Sequence, residues 1–237
     1  MQMSKIEWTD KTWNPVTGCD RISDGCKNCY ARKMAQRLHA MGLEKYRNNF
    51  EVTCHPFALN QPLKWKKPKN IFVNSMSDLF HYEVSTIFIL KIFEVMNNAY
   101  WHKFQILTKR SERLLETIYT LPWKDHVWMG VTVEDIGNLD RINSLRMCRA
   151  KNKFISFEPL LEDLGEINLD GIDWVIVGGE TGPGARPMET EWVLKILQQC
   201  KKQNVPFFFK HWGGVRKKKD DHLICGKEFR ANPMEGA

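Results

Sequence analysis

Three cysteines, Cys19, Cys26 and Cys29, fall within eleven positions of the stretch "TWNPVTGCDRISDGCKNCYARKMA" (12–35), spaced C-x6-C-x2-C and followed by Tyr30. Thiolates are soft ligands and select zinc or an iron–sulfur cluster. A structural zinc site is closed by four protein ligands, and the candidates for a fourth are His39 or the more distant Cys54 and His55. A four-iron cluster ordinarily takes four cysteines. Held by three, it keeps one iron open to an exogenous ligand. Both readings are open at this point. Cys54, Cys148, Cys200 and Cys225 are scattered and read as ordinary core or surface residues. An odd total of seven cysteines with irregular spacing argues against a disulfide framework and for metal binding.

A second set of polar residues stands at the ends of apolar runs. "NSMSD" offers Asn74, Ser75, Ser77 and Asp78; "LTKR" offers Thr108, Lys109 and Arg110; "GVTVED" leads to Thr132 and Glu134. Glu158 sits inside "FISFEPLL", where a carboxylate is costly unless paired or hydrogen-bonded. It either forms an internal salt bridge with Lys109, Arg110 or Lys210, or touches a ligand. "VGGETGPGAR" joins close backbone approach at Gly178 and Gly179 to the carboxylate of Glu180 and a loop carrying Arg186. "FFFKHW" supplies Lys210, His211 and Trp212. Trp8, Trp13 and Trp212 can stack on a base, or simply pack in a core.

The elements that must position these groups alternate. Strands are expected at 11–18, 50–57, 70–76, 103–108, 126–132, 153–159, 173–179 and 205–212, several of them apolar throughout, as parallel strands buried on both faces are. Helices are expected at 28–41 (Ala31, Met34, Ala35, Leu38 and Met41 on one face), 84–99, after Ser111 (Leu114, Leu115, Ile118), around 139–145, and from Thr190 (Val193, Ile196, Leu197, Cys200), with Ser111 and Thr190 as caps. Eight strands with intervening helices predict a TIM-like (β/α)8 barrel, complete or nearly so, with an open doubly wound sheet as the alternative. In a barrel the polar strand ends gather at one face, where active sites form. The chain reads as a single domain over 1–237, with the cysteine loop at 18–30 and a tail at 213–237 whose hairpin (222–233) turns at Gly226.

Composition narrows the class. The chain has 237 residues, 43% of them hydrophobic and 27% charged, and no apolar run long enough for a membrane span. Without an apolar leader in "MQMSKIEWTD", a cytoplasmic location is the expectation. A formal charge of +7 favours a polyanionic or anionic partner. The densest basic run, "RKKKDD" (216–221), carries its own counter-charges and reads as a solvated turn.

The C-x2-C-aromatic ending, after a first barrel strand, resembles the cluster loop of radical S-adenosylmethionine (SAM) enzymes. More closely, "IEWTDKTWNPVTGC", "FVNSMSDLF", "LTKR", "SFEPLL" and "VGGETGPGARPM" resemble a phage-associated three-cysteine-motif family placed near the radical SAM barrels. The commonest radical SAM spacing has three residues in the first gap, where this chain has six. The resemblance implies a [4Fe–4S] cluster on Cys19, Cys26 and Cys29, SAM as cofactor, and a one-electron donor such as a flavodoxin or ferredoxin. It implies that SAM is held by Tyr30, Asn74, Ser75, Asp78, Thr108, Lys109 and Arg110. Gly178 and Gly179 would meet SAM or substrate. Glu158, Glu180 and Lys210 would act on a substrate held by Arg186 and Trp212, and the charge leans toward a nucleic acid or nucleotide. The alternatives are a zinc-stabilised, non-catalytic nucleic-acid-binding protein and a partner protein in a phage or defence assembly.

Overall fold

The computed structural model describes residues 6–117, 119–216 and 220–234. Ile118, expected on a helix, and Lys217–Lys219, the centre of the basic run, lie outside the described residues. Seven parallel strands follow one another in sheet order as in sequence: β1 (Lys11–Trp13), β2 (Asn70–Val73), β3 (Lys103–Thr108), β4 (Val127–Thr132), β5 (Asn152–Phe157), β6 (Trp174–Gly178) and β7 (Phe207–His211). The sheet curls into a half-barrel and is not the complete eight-stranded barrel the pattern predicts.

The difference lies at 50–57. Only Thr53–Cys54 is extended there, and it pairs antiparallel with Val16–Thr17 rather than joining the main sheet. β1 pairs directly with β2, Trp13 opposite Val73, so no strand can stand between them. The segment is apolar because Val52 and Cys54 pack on the core, while its backbone serves the cysteine loop: Cys19 N–H donates to Phe50 O at 3.2 Å and His55 N–H to Pro15 O at 2.7 Å. Pro56, without an N–H, then opens a short 3-10 turn over Pro56–Ala58.

Five α-helices occur among the described residues: α1 (Tyr30–Ala40), α2 (Thr86–Asn98), α3 (Ser111–Glu116), α4 (Asp140–Met147) and α5 (Thr190–Lys202). Ser85 caps α2, its side chain accepting from Phe88 N–H at 3.3 Å. Ser111 and Thr190 are the first helical residues rather than caps. On α1 the buried face is the pair Ala31 and Ala35, while Met34 and Met41 are exposed, because this helix packs on the cysteine loop and Phe50, Tyr46 and Met76 instead of the sheet.

The two faces of the sheet bury different material. The outer face meets the helices in one large aliphatic and aromatic core. The inner face is filled by Phe72, Trp128, Phe154, Trp174, Ile176 and Phe208, plugged by Trp8 and Met234. Gly130 makes room for this filling, since a Cβ there would stand 2.5 Å from the Phe154 ring. At the carboxyl ends of the strands the inner face turns polar, through Ser156, Glu158 and Lys210.

The free edge of β7 is met by the tail. Phe209 N–H donates to Phe229 O at 2.7 Å and Ala231 N–H to Phe207 O at 3.2 Å, an antiparallel cover over an otherwise open edge. The hairpin of Leu223–Ile224 and Lys227–Glu228 turns through Cys225 and Gly226, both at positive φ.

Candidate functional site

The cysteine loop lies across the carboxyl-terminal mouth of the half-barrel, over a cavity of about 290 Å³ that all three cysteines line. Gly18 starts the loop at φ +85°, where a Cβ would stand 2.1 Å from Glu51 O, so no side chain fits. Cys26 closes a 3-10 turn (Asp24–Cys26), and Cys29 immediately precedes α1. The loop therefore meets the unpaired N–H groups of a helix start, which favour negative charge.

Charged residues pin this loop from two sides. Glu134, wholly buried just beyond β4, pairs with Lys109 and with Arg141 (2.6 Å), and accepts from Ser23 Oγ (2.5 Å). Its carboxyl is held below the ordinary range: burial raises it, but the two cations and the Ser23 hydroxyl outweigh that. Gly25 lies so close that a Cβ would be 2.4 Å from Glu134 Oε1. On the other side, Glu180 takes Arg186 in a two-pronged pair (Nη2 2.6 Å, Nε 3.0 Å) and accepts from Asn28 Nδ2 at 2.9 Å. Arg186 Nη2 also donates to Asp24 O at 2.9 Å. Burial raises the Glu180 carboxyl, yet Arg186 and Asn28 bring it down to about 2.

The thiols differ. Burial, with Asp78 nearby, pushes Cys19 up to about 12, although Arg110 Nη2 lies 3.8 Å from its sulfur. Cys26 is half-buried, which raises it, but Lys109, the Ser23 hydroxyl and backbone N–H groups leave it below the usual thiol range. Among the described residues the three thiols do not form a set within 4.8 Å of one another; Cys19, Asp20 and His81 do. That second trio is an ion-pair network: His81 Nε2 lies 2.8 Å from Asp20 Oδ1, which also pairs with Arg110. His39 Nδ1 is engaged with Tyr46 O at 3.0 Å and His55 Nε2 with Thr17 Oγ1 at 2.7 Å, so neither imidazole is turned to the loop as a fourth ligand. Three thiols on one cavity are soft donors that suit a multi-iron cluster with one iron left open or, completed by Asp20 or His81 beside Cys19, a zinc ion.

The remaining expected residues divide. Tyr30, Asn74, Ser75, Asp78, Thr108, Lys109, Glu158, Gly179, Glu180 and Lys210 line the cavity with the cysteines. Asp78 is spent on the scaffold: it accepts from Thr108 Oγ1 (2.7 Å), Lys109 N–H (3.0 Å) and Phe80 N–H (3.0 Å), tying the end of β2 to the end of β3. Tyr30 OH donates to Ser75 O, and Ser75 Oγ to Asn14 Oδ1 at 3.2 Å. Asn74, buried at φ +58°, accepts from Val16 N–H at 3.2 Å, whereas its Nδ2 finds no partner among the described residues. Glu158 pairs with Lys210 at 2.8 Å and accepts from Ser156 Oγ at 2.9 Å; burial raises its carboxyl, and these partners with His211 lower it below the ordinary range.

Arg110, Gly178, Arg186 and Trp212 are not among the residues lining this cavity. Arg110 turns to Asp20 and Cys19; Arg186 clamps the cysteine loop. Gly178 gives way to Glu158, its ideal Cβ lying 2.8 Å from Oε1, and Trp212 donates to Leu223 O at 2.8 Å in the tail. Those four therefore stand in the frame around the site. Ser23, Asn28 and Arg141 had no signal of their own in the sequence. Glu134 had one: a carboxylate directly after an apolar strand, seven residues before an arginine.

A family model matches residues 3–235, nearly the whole chain, and its description reads "Protein of unknown function (DUF5131)". The chain belongs to that family. No functionally curated protein matches it. Among solved structures it is similar to "Spore photoproduct lyase complexed with dinucleoside spore photoproduct", at a TM-score of 0.44 and 12% identity, over 79% of this chain and 59% of that one. The DUF5131 chain thus spans less than two thirds of that protein's length, and likeness at this level carries no statement about its chemistry.

Proposed function

We propose that the chain is a radical SAM enzyme, with Cys19, Cys26 and Cys29 holding a [4Fe–4S] cluster and SAM bound in the cavity beneath it. The observation that supports this reading is a trio of thiols, the only cysteines among the described residues lining a cavity at the carboxyl ends of parallel strands. When bound, the cluster and SAM supply a one-electron cleavage to methionine and a 5′-deoxyadenosyl radical, which takes a hydrogen atom from the substrate.

The chain's own residues do the rest. Ser23, Asn28, Glu134, Glu180 and Arg186 fix the cysteine loop. Asn74 lines the cavity, and its buried Nδ2, without a partner among the described residues, is a donor for an acceptor on SAM. Tyr30 and Ser75, locked to each other, form the adjoining wall. Glu158 and Lys210 face the substrate side; the carboxylate stays ionised and accepts hydrogen bonds, and the ammonium beside it meets negative charge. The aromatic filling below closes the half-barrel to water. A net charge of +7 supports a nucleic acid or nucleotide as substrate, and a small one-electron donor protein completes the system. A phage setting, implied by the motif resemblance, belongs to the same proposal.

The test is production of 5′-deoxyadenosine by oxygen-protected protein given SAM and a strong reductant. Wild type should form it, and Cys26→Ala should not. A fully iron-loaded wild type that leaves SAM intact would overturn the enzyme reading.

A further inference from the structure

At the mouth of the half-barrel the cations are spent on carboxylates: Lys109 on Glu134, Arg110 on Asp20, Arg186 on Glu180 and Lys210 on Glu158. The opposite face is different. Four segments at the amino ends of β2, β3, β4 and β5 (64–69, 99–103, 121–126 and 147–153) carry nine lysines and arginines and one carboxylate, Asp125. This strip alone therefore holds more net positive charge than the +7 of the whole chain.

Hydrogen bonds join the four segments into one surface. Trp101 Nε1 donates to Trp65 O at 2.8 Å and Lys103 N–H to Lys69 O at 2.9 Å, linking the first to the second. Phe104 N–H donates to His126 O at 2.8 Å, and Asn152 Nδ2 to Asp125 O at 2.6 Å, linking the second to the third and the third to the fourth. Lys64, Lys66, Lys67, Lys124 and Arg149 are exposed, and no carboxylate among the described residues lies within ion-pair distance of them. Asp125 pairs with Lys151 at 2.6 Å. The acids on the two flanks, Asp10 before β1 and Asp173 before β6, accept from Asn70 N–H and Lys153 N–H, each at 2.8 Å. Two tyrosines stand among the cations, Tyr100 (71% exposed) and Tyr119 (82% exposed), with the Arg149 guanidinium 5.6 Å from the Tyr119 ring.

We infer that this amino-end strip binds a single-stranded nucleic acid, its cations meeting the phosphates and the two tyrosines stacking on bases. Neighbouring strands lie about 4.8 Å apart, so four segments make a strip about 15 Å across, room for several nucleotides. Cations that meet a polyanion gain by releasing its counterions, and stacking of a base on an aromatic ring tolerates any sequence. An acidic protein would answer the charge alone; a single strand answers the charge and the exposed rings together. β3 and β4, six residues each, hold this face about 17 Å from the mouth. The surface is therefore separate from the cysteine site, and the strand it holds need not be the substrate of the proposed reaction.

Fluorescence anisotropy tests it, with a labelled oligothymidylate of about 16 nucleotides and the full chain purified under oxygen protection, without SAM or reductant. Affinity should fall as salt rises, by about 0.7 log units per tenfold salt for each phosphate contacted. Lys66→Glu combined with Lys67→Glu should weaken binding at least tenfold and flatten that slope. Tyr100→Ala should weaken it about fivefold and leave the slope alone. These positions are exposed, so melting temperatures should not change. Lys33→Glu, on the mouth side near Gly182, should bind as wild type does. Binding indifferent to salt, to the paired lysine reversals or to Tyr100→Ala would overturn the inference. So would an equal loss in Lys33→Glu, or tighter binding of polyglutamate or of phosphatidylserine vesicles than of the oligonucleotide. Cys26→Ala should hold the strand as wild type does, so failure of the radical chemistry and failure of this surface are read separately.

Discussion

Glu134 and Glu158 follow neighbouring parallel strands, two residues beyond Thr132 and one beyond Phe157, yet they hold different amounts of structure. Glu134 is wholly buried and serves three partners on three separate segments, Ser23, Lys109 and Arg141. Glu158 lines the cavity with one lysine and one serine, and solvent reaches both members of its ion pair. Residue type does not separate a scaffold carboxylate from one available to a ligand; the number of elements it ties together does.

Substitutions should break this contrast in a fixed order. Glu134→Ala leaves Lys109 and Arg141 without their common anion, and breaking a buried pair costs about 3–5 kcal/mol. Urea denaturation should show that loss, and the variant should also fail to take up iron. Arg186→Ala removes charge-assisted bonds to Glu180 and one to Asp24 O, a loss of about 1.5–3 kcal/mol. Hydrogen exchange should localise the loosening to residues 19–29. Glu158→Gln should change stability by about 1 kcal/mol or less, since its pair with Lys210 is partly solvated. Under the proposed function its effect should fall on substrate turnover, with 5′-deoxyadenosine still formed. A Glu158 variant as unstable as the Glu134 one would erase the distinction.

Acid sharpens the comparison further. Glu180 titrates at about 2 in the folded chain against an ordinary 4.5, so its clamp contributes fully above about pH 4.5 and is lost as pH falls toward 2. Proteolysis of the cysteine loop, followed from pH 6 downward with an acid-tolerant protease, should accelerate within that window in wild type. Arg186→Ala should show the faster cleavage already at pH 6.

The sheet was legible where both faces of a strand are apolar: 103–108, 126–132, 153–159 and 173–179 all contain strands of the half-barrel. It misled at 50–57, because apolar residues there serve a loop packed against the core, and periodicity cannot tell the two apart. Met34 and Met41 misled for a related reason: α1 faces a small cluster that takes its alanines and, in part, Leu38. Within the site, the spacing of the cysteines and the oddity of a carboxylate in "FISFEPLL" were readable. The roles of Asn28, Ser23 and Arg141 were not, since each comes from a contact across more than a hundred residues or from a helix face that only the fold orients.

The central claim is an iron–sulfur centre on three thiols with one iron open. It is tested most directly by electron paramagnetic resonance of the reduced, oxygen-protected chain, alongside metal and sulfide analysis. The account predicts about four irons and four sulfides per chain, a signal that shifts when SAM is added, and loss of both in Cys26→Ala. A colourless chain holding one zinc, or a signal indifferent to SAM, would contradict it.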